Sequence, residues 1–192
     1  MTKKWSNLNL PGALYYVTGN VVHRIPIFKQ ERCCRAFLQV LADLLQSWPC
    51  KLIAYVIMPD HFHSIVNPRD GDIKRFTGAL KSLSAKKILE ITNDSRFMRR
   101  DGSTHQVWQE SFKALPLWSL WMVWQKINYI HANPVRARLV RSAKDYQWSS
   151  FRAFYHESPE PLKVDDEWCW PDDAERLGKA MREMDWEAYY KK

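Results

Sequence analysis

Met58-Pro59-Asp60-His61-Phe62-His63-Ser64-Ile65-Val66 is the stretch from which the chain is best read. Pro59-Asp60 is a turn pair, and the residues after it alternate as a strand does. Strand side chains at i and i+2 share a face with Cα atoms about 7 Å apart, close enough for His61 and His63 to share one cation while Phe62 packs on the opposite face. Two neutral imidazoles make half of a metal site, and the remaining positions fall to a third protein group, water or substrate oxygens. A His-x-His pattern also occurs by chance in packing or surface roles, so it needs a partner elsewhere in the chain.

Working outward, Lys51 to Met58 is nearly continuous in apolar residues and short, as a central strand is, and pairs with His61–Asn67 across the turn. Upstream, Lys29 to Trp48 places Phe37, Leu38, Leu41, Leu45 and Trp48 on one helical face, with Pro49 as its stop. Ala13 to Thr18, rich in aromatic and β-branched residues after Pro11-Gly12, reads as the first strand. Downstream, Asp72 caps a helix to about Ile91, and 93–104 reads as a basic loop containing Arg96, Arg99 and Arg100. Val107 to Phe112 reads as a fourth strand. The order β-α-β-β-α-β predicts an α+β, ferredoxin-like antiparallel sheet with both helices on one face and the other face free for a site.

Beyond this unit, a helix is expected from about Leu117 to Ala132, ended by Asn133-Pro134 because a residue before proline is pushed out of the helical region. Its polar stripe is Gln125, Tyr129 and Asn133, beside an apolar one of Leu120, Trp124 and Ile127. A helical tyrosine is ordinarily a core or boundary residue. The segment Asp145 to Phe154 is expected to pack back on the body. The chain therefore divides into a body, 1–156, and an acidic tail, 157–192, expected to be helical and docked, with Asp172 capping its last helix.

Charge separates the same two parts. The formal net charge is +8, but residues 157–192 carry 11 acidic and 6 basic residues, leaving the body at +13. Such a body suits a polyanionic partner. Lys74, Lys81 and Lys86 on the second helix could meet phosphates, although a plain solvated face is the commoner explanation, and ten tryptophans offer rings for packing or for stacking on unpaired bases. Cys33, Cys34, Cys50 and Cys169 lack C-x-x-C or zinc-ribbon spacing, so reduced thiols are expected. No apolar run approaches a membrane span, and a cytoplasmic, nucleoid-associated protein with no membrane partner is the expectation.

A cation on His61 and His63 would polarise a phosphate oxygen while a tyrosine hydroxyl attacks phosphorus, becoming joined to the 5′ side of the broken strand and freeing a 3′ hydroxyl. Four ordered blocks connect this chemistry to a family: Ala54 to His63, Val107-Trp108-Gln109, Tyr129 to Ala137, and Tyr146 to Ala153. Together they resemble the HUH single-tyrosine transposases of the IS200-like type, and are most similar to the REP-associated tyrosine transposases, over roughly residues 10–156. The resemblance implies His61 and His63 as metal ligands, Tyr129 as nucleophile, and Asn133 at the place of a third polar ligand. It further implies cleavage and rejoining of single-stranded DNA beside hairpin-forming repeats, with Mg2+ or Mn2+ and no nucleotide, by a monomer or homodimer. Lys81, Lys86, Arg96, Arg99, Arg100 and Arg136 are the candidate DNA contacts. Two positions depart from the family pattern: Arg138 stands where glycine is usual, and Ser111 where arginine is common.

Two other readings compete. A domesticated relative would bind hairpin DNA as a non-catalytic regulator, which needs none of His61, His63 or Tyr129. A metal-dependent hydrolase would use water as nucleophile and keep its activity in Tyr129→Phe.

Overall fold

The computed structural model describes residues 7–98, 105–155 and 161–165. Four strands, β1 (Leu14–Asn20), β2 (Cys50–Met58), β3 (His61–Pro68) and β4 (Lys113–Leu117), form one antiparallel sheet in the order β2-β3-β1-β4. Helices α1 (Glu31–Ser47) and α2 (Ile73–Thr92) connect them in the ferredoxin-like way, followed by α3 (Leu120–Arg136) and the short α4 (Phe151–Phe154).

The alternation of strand side chains sorts the core into two layers. Tyr15 and Val17 of β1 and Phe62 and Val66 of β3 face α1 and α2, meeting Phe37, Leu41, Phe76 and Leu80. Leu14, Tyr16, Ile65, Leu115 and Leu117 face the other way, onto Val123, Ile127 and Ile130 of α3. That second face is therefore covered along most of its length rather than free, because a row of leucine, isoleucine and tyrosine must be buried. Only its end, where the row becomes Thr18, His63, His61 and Asn20, remains open. A bulge between Leu52 and Ala54 lets Leu52 and Tyr55 both point to the α1–α2 layer despite their spacing.

The fourth strand lies six residues later than the sequence suggests. Val107 to Phe112 makes a single bridge, Trp108 to Val21, and tucks the Trp108 ring under the helices with its Nε1 donating to Ser84 Oγ at 3.0 Å. Lys113–Leu117 pairs instead, since Ala114 fits one core layer and Leu115 and Leu117 the other. Pro116 is tolerated because β4 pairs on one side only.

Helix α3 also differs from expectation at both ends. It starts at Leu120, with the Ser119 side chain accepting from the Met122 N–H, and it runs through Pro134 to Arg136. Proline costs the helix a donor to Ile130, but burial of Val123, Ile127, Ile130 and Pro134 on one side carries the helix past it. The stop is a Schellman motif: the Arg138 N–H donates to Val135 O and the Leu139 N–H to Pro134 O, both at 2.9 Å, with Arg138 at φ 57°. Of the expected apolar stripe only Ile127 is buried, while Leu120 and Trp124 are exposed.

The outer edge of β2 is covered by the chain that follows α3. The Ile57 N–H donates to Trp148 O, the Ser150 N–H to Tyr55 O, and the Asp165 N–H to Leu52 O, while Asp165 Oδ2 accepts from the Leu52 N–H. Unpaired edge groups are thus satisfied, which blocks strand addition there. Leu162 and Val164 pack on the core. The helix expected after Asp172, with Trp168, Trp170 and Cys169, lies outside the described residues.

Candidate active site

At the open end of the sheet a cleft of about 590 Å³ is lined by Tyr16, Thr18, Asn20, Arg24, His61, His63, Gln109, Ser111, Phe112, Lys113, Lys126 and Tyr129. Strand register builds it. Thr18 pairs with His63 and Asn20 with His61, so both histidines lie in the same rows as polar residues of β1. Helix α3 then brings Tyr129 across the top, its ring centroid 5.5 Å from that of His63, while the two histidine rings are 4.8 Å apart.

Each histidine has its Nδ1 occupied. His61 Nδ1 is 2.6 Å from Asp60 Oδ1, and Asp60 is also 3.4 Å from Arg24 Nε. His63 Nδ1 lies 2.8 Å from both Tyr16 Oη and Thr18 Oγ1. Burial holds His61 below the ordinary histidine range, outweighing the pull of Asp60. Burial holds His63 well below it, helped by the nearby His61, Lys126 and Arg24. Both rings are therefore neutral at pH 7. With the proton on Nδ1 and aimed at its oxygen partner, each presents a free Nε2 lone pair, the form a metal ion requires.

Among the described residues no group of three or more His, Cys, Asp or Glu could hold a metal. The donor set here is two imidazoles, and Asp60 is already engaged by His61 and Arg24. Asn133 follows Tyr129 by one helical turn and is not among the residues lining the cleft; its amide Nδ2 is buried without a hydrogen-bond partner. Neutral, oriented imidazole nitrogens fit a weakly held divalent ion that takes its remaining ligands from substrate and water, whereas the orphaned Asn133 Nδ2 is a hydrogen-bond donor and not a ligand atom.

The candidate DNA contacts are scattered. Arg136 places its guanidinium 5.7 Å from the Tyr129 ring centroid, at the site. Lys81, on α2, is not among the residues lining the cleft; its ammonium donates to the carbonyls of Gln109, Glu110 and Ser111 at 2.7, 3.0 and 3.4 Å. Lys86 borders a groove between α1 and α2, on the far side of the sheet from the histidines. Arg96 is forked onto Asp94. Arg99 and Arg100 lie outside the described residues.

Other residues of the cleft escaped the sequence reading. Tyr16, Thr18 and Asn20 could have been found from the alternation of β1 alone, had its pairing partner been known. Asp60 beside His61 is a local signal. Arg24 is not: it reaches the cleft because the backbone at His23 and Arg24 turns through φ 52° and 57°, which nothing in the residue types announces. Lys126, one turn before Tyr129, has its ammonium 4.8 Å from the Tyr16 ring centroid and 5.9 Å from that of Tyr129.

Paired histidines on an inner strand of a ferredoxin-like sheet and a tyrosine from α3 thus line one cleft. The family model described as "Transposase IS200 like" matches residues 14–133, and the chain belongs to that family. In fold it is similar to a REP-associated tyrosine transposase whose structure was solved bound to a REP hairpin, at 19% identity and a TM-score of 0.62, covering 86% of this chain and 93% of that one. It is also similar, at 21% identity and a TM-score of 0.47, to a putative transposase from Deinococcus radiodurans R1, covering 68% of this chain and 95% of that one. Among curated proteins no sequence matches it. Among the described residues, no helix is long and apolar enough to cross a membrane.

Proposed function

We propose that this transposase-family chain cleaves and rejoins single-stranded DNA beside hairpin-forming repeats, with Tyr129 as nucleophile. The supporting observation is the meeting of three elements in one cleft: the free Nε2 edges of His61 and His63, and the Tyr129 phenol 5.5 Å from His63 between ring centroids. The REP hairpin bound by the structural neighbour supports trying hairpin DNA first as the substrate of this chain.

In this reading His61 and His63 hold Mg2+ or Mn2+, with Asn133 the candidate third protein ligand. The ion, when bound, supplies positive charge to a non-bridging phosphate oxygen. Asp60 fixes His61, and Tyr16 and Thr18 fix His63, so that neither ring has to reorganise when DNA enters. Tyr129, standing at the mouth and 37% exposed, is reachable by a strand lying across the cleft. Its hydroxyl attacks phosphorus, its proton passes to water, and the departing 3′ oxygen takes one up. The phosphodiester energy is retained in the tyrosyl ester, so a second hydroxyl can complete strand transfer without ATP.

The test is a denaturing gel of protein mixed with end-labelled hairpin DNAs and Mn2+, comparing wild type with Tyr129→Phe. A covalent protein–DNA band lost in the mutant is the expected result. Cleavage persisting in Tyr129→Phe would replace the tyrosine with water, and hairpin binding without cleavage in any metal would leave a regulator.

A further inference from the structure

Lys126 is an unusual residue for the position it holds. It is half-buried on the edge of α3 that faces the cleft, and among the described residues no carboxylate forms an ion pair with it. Its surroundings are two aromatic faces, Tyr16 at 4.8 Å and Tyr129 at 5.9 Å, and its field reaches His63. Burial lowers its pKa, so the charge is kept at a cost. Cation–π contacts return only part of that cost. Tyr16 links the arrangement, since its ring lies under the ammonium while its hydroxyl meets His63. Lys126, His61, His63 and Tyr129 all line the same cleft. Helix periodicity makes the placement firm: residue 126 precedes Tyr129 by three, so both project from neighbouring points of one turn.

We propose that Lys126 is a further catalytic residue: its ammonium binds the non-bridging oxygens of the phosphate under attack and offsets the charge they gain as Tyr129 adds. This inference rests on the reading of Tyr129 as nucleophile. In the step itself, the Tyr129 Oη–P bond forms and the P–O3′ bond breaks. The phenol proton is given to water, the 3′ oxygen is protonated, and Lys126 keeps its proton throughout. The ammonium then remains beside the phosphotyrosine, restraining the ester until a second hydroxyl arrives. Arg136, 5.7 Å from the Tyr129 ring centroid, is exposed, whereas Lys126 is half-buried.

The experiment uses the full chain with a pool of stem-loop DNAs carrying randomised single-stranded flanks, and compares wild type, Lys126→Met, Lys126→Gln and Lys126→Arg with melting temperatures checked. At saturating DNA and Mn2+, the rate of covalent adduct formation is expected to fall about 100-fold in Lys126→Met and Lys126→Gln, the size of loss seen when one preorganised charge-stabilising donor is removed. Lys126→Arg should recover to within about tenfold of wild type, and Kd should change far less than the rate. Binding gives a readout independent of cleavage: the salt dependence of DNA affinity should lose about one phosphate contact, a slope change near 0.7, in Lys126→Met and not in Lys126→Arg. Adduct formation within threefold of wild type in a folded Lys126→Met overturns the proposal. If wild type forms no adduct with any DNA, the nucleophile reading fails. The binding arm then decides: equal salt slopes, or no DNA binding at all, overturn the role of Lys126 too.

Discussion

The hydroxyl of Tyr16 lies 2.8 Å from Nδ1 of His63, a diagonal contact across the β1–β3 ladder in which Tyr16 itself pairs with Ile65. Thr18 approaches the same nitrogen at the same distance. Two hydroxyls on one nitrogen hold the ring plane, and with the proton on Nδ1 they leave Nε2 committed to the cleft. Tyr16→Phe keeps the ring and removes one partner, and Thr18→Val removes the other. Each single change is expected to weaken Mn2+ binding about tenfold, and the double change toward 100-fold, the range for losing groups that orient a metal-bound histidine. Paramagnetic detection of bound Mn2+ measures this without DNA or turnover. Unchanged affinity in the double variant would show that His63 is positioned by burial alone.

The Schellman turn after α3 sets Arg138 at φ 57°, a conformation that costs a non-glycine residue about 1 kcal/mol. The usual glycine at this position in the family has a physical explanation: the chain must enter the left-handed region to satisfy the carbonyls of Pro134 and Val135. Arg138→Gly is expected to raise the melting temperature by about 2–4 °C, a gain of about 1 kcal/mol in a domain of this size. Arg138→Val should lower it. Calorimetry of the two variants checks the sign.

Gly19 pairs with Phe62, and a Cβ there would overlap Phe62 Cε1. The ring cannot step aside, because it is wedged between Phe37 at 4.9 Å and Trp108 at 5.4 Å between centroids. Gly19→Ala should therefore destabilise the protein by about 1–3 kcal/mol, the ordinary cost of overpacking. The denaturant midpoint is the measurement. No shift would mean that β1 can slide away from β3, and with it Thr18 from His63.

The Cys34 thiol donates to Phe28 O at 3.1 Å, and burial pushes it up from 9.0 to about 12. A raised pKa means that the folded state holds a proton the unfolded chain releases. The associated stability is complete below pH 9 and is lost as pH rises toward 12. In the native protein Cys34 should resist iodoacetamide at pH 8.5 and react only on unfolding; mass mapping of the alkylated sites reads this directly. Rapid native labelling would refute it.

Alternation and helical periodicity made the sheet and its first two helices legible, since β1, α1, β2, β3 and α2 each bury a face that their own residues mark. The later part was less so. Val107 to Phe112 carries strand-forming residues, but Trp108 is buried by a hydrogen bond to Ser84 that sequence alone does not reveal, and the strand is displaced to Lys113. Proline at 134 looked like a stop because the rule for a residue before proline is local, whereas the burial that overrides it is tertiary. In the cleft, spacing announced His61 and His63. Of their supporting shell only Asp60 is adjacent in sequence; Tyr16 and Thr18 come from a second strand and Arg24 from a left-handed turn.

Lys81, a candidate DNA contact, is held by its own chain, and the consequences reach the cleft. Its ammonium serves three consecutive carbonyls of the segment Gln109–Ser111 and lies 5.6 Å from the Phe112 ring centroid. Burial brings its pKa down to about 8, so at neutral pH it is still largely the three-proton donor those carbonyls require. Gln109, Ser111 and Phe112 all line the cleft, and the Gln109 N–H holds Asn20 O at 2.9 Å, so the clamp fixes one wall against the end of β1. Lys81→Met preserves the stem and removes every donor. Its expected cost is about 1–3 kcal/mol, from carbonyls left without partners. Amide hydrogen exchange should rise across 107–112 while α1 and β3 stay protected, and DNA affinity should fall without the reduced salt slope that loss of a phosphate contact brings. A reduced slope with the loop still protected would return Lys81 to direct DNA contact.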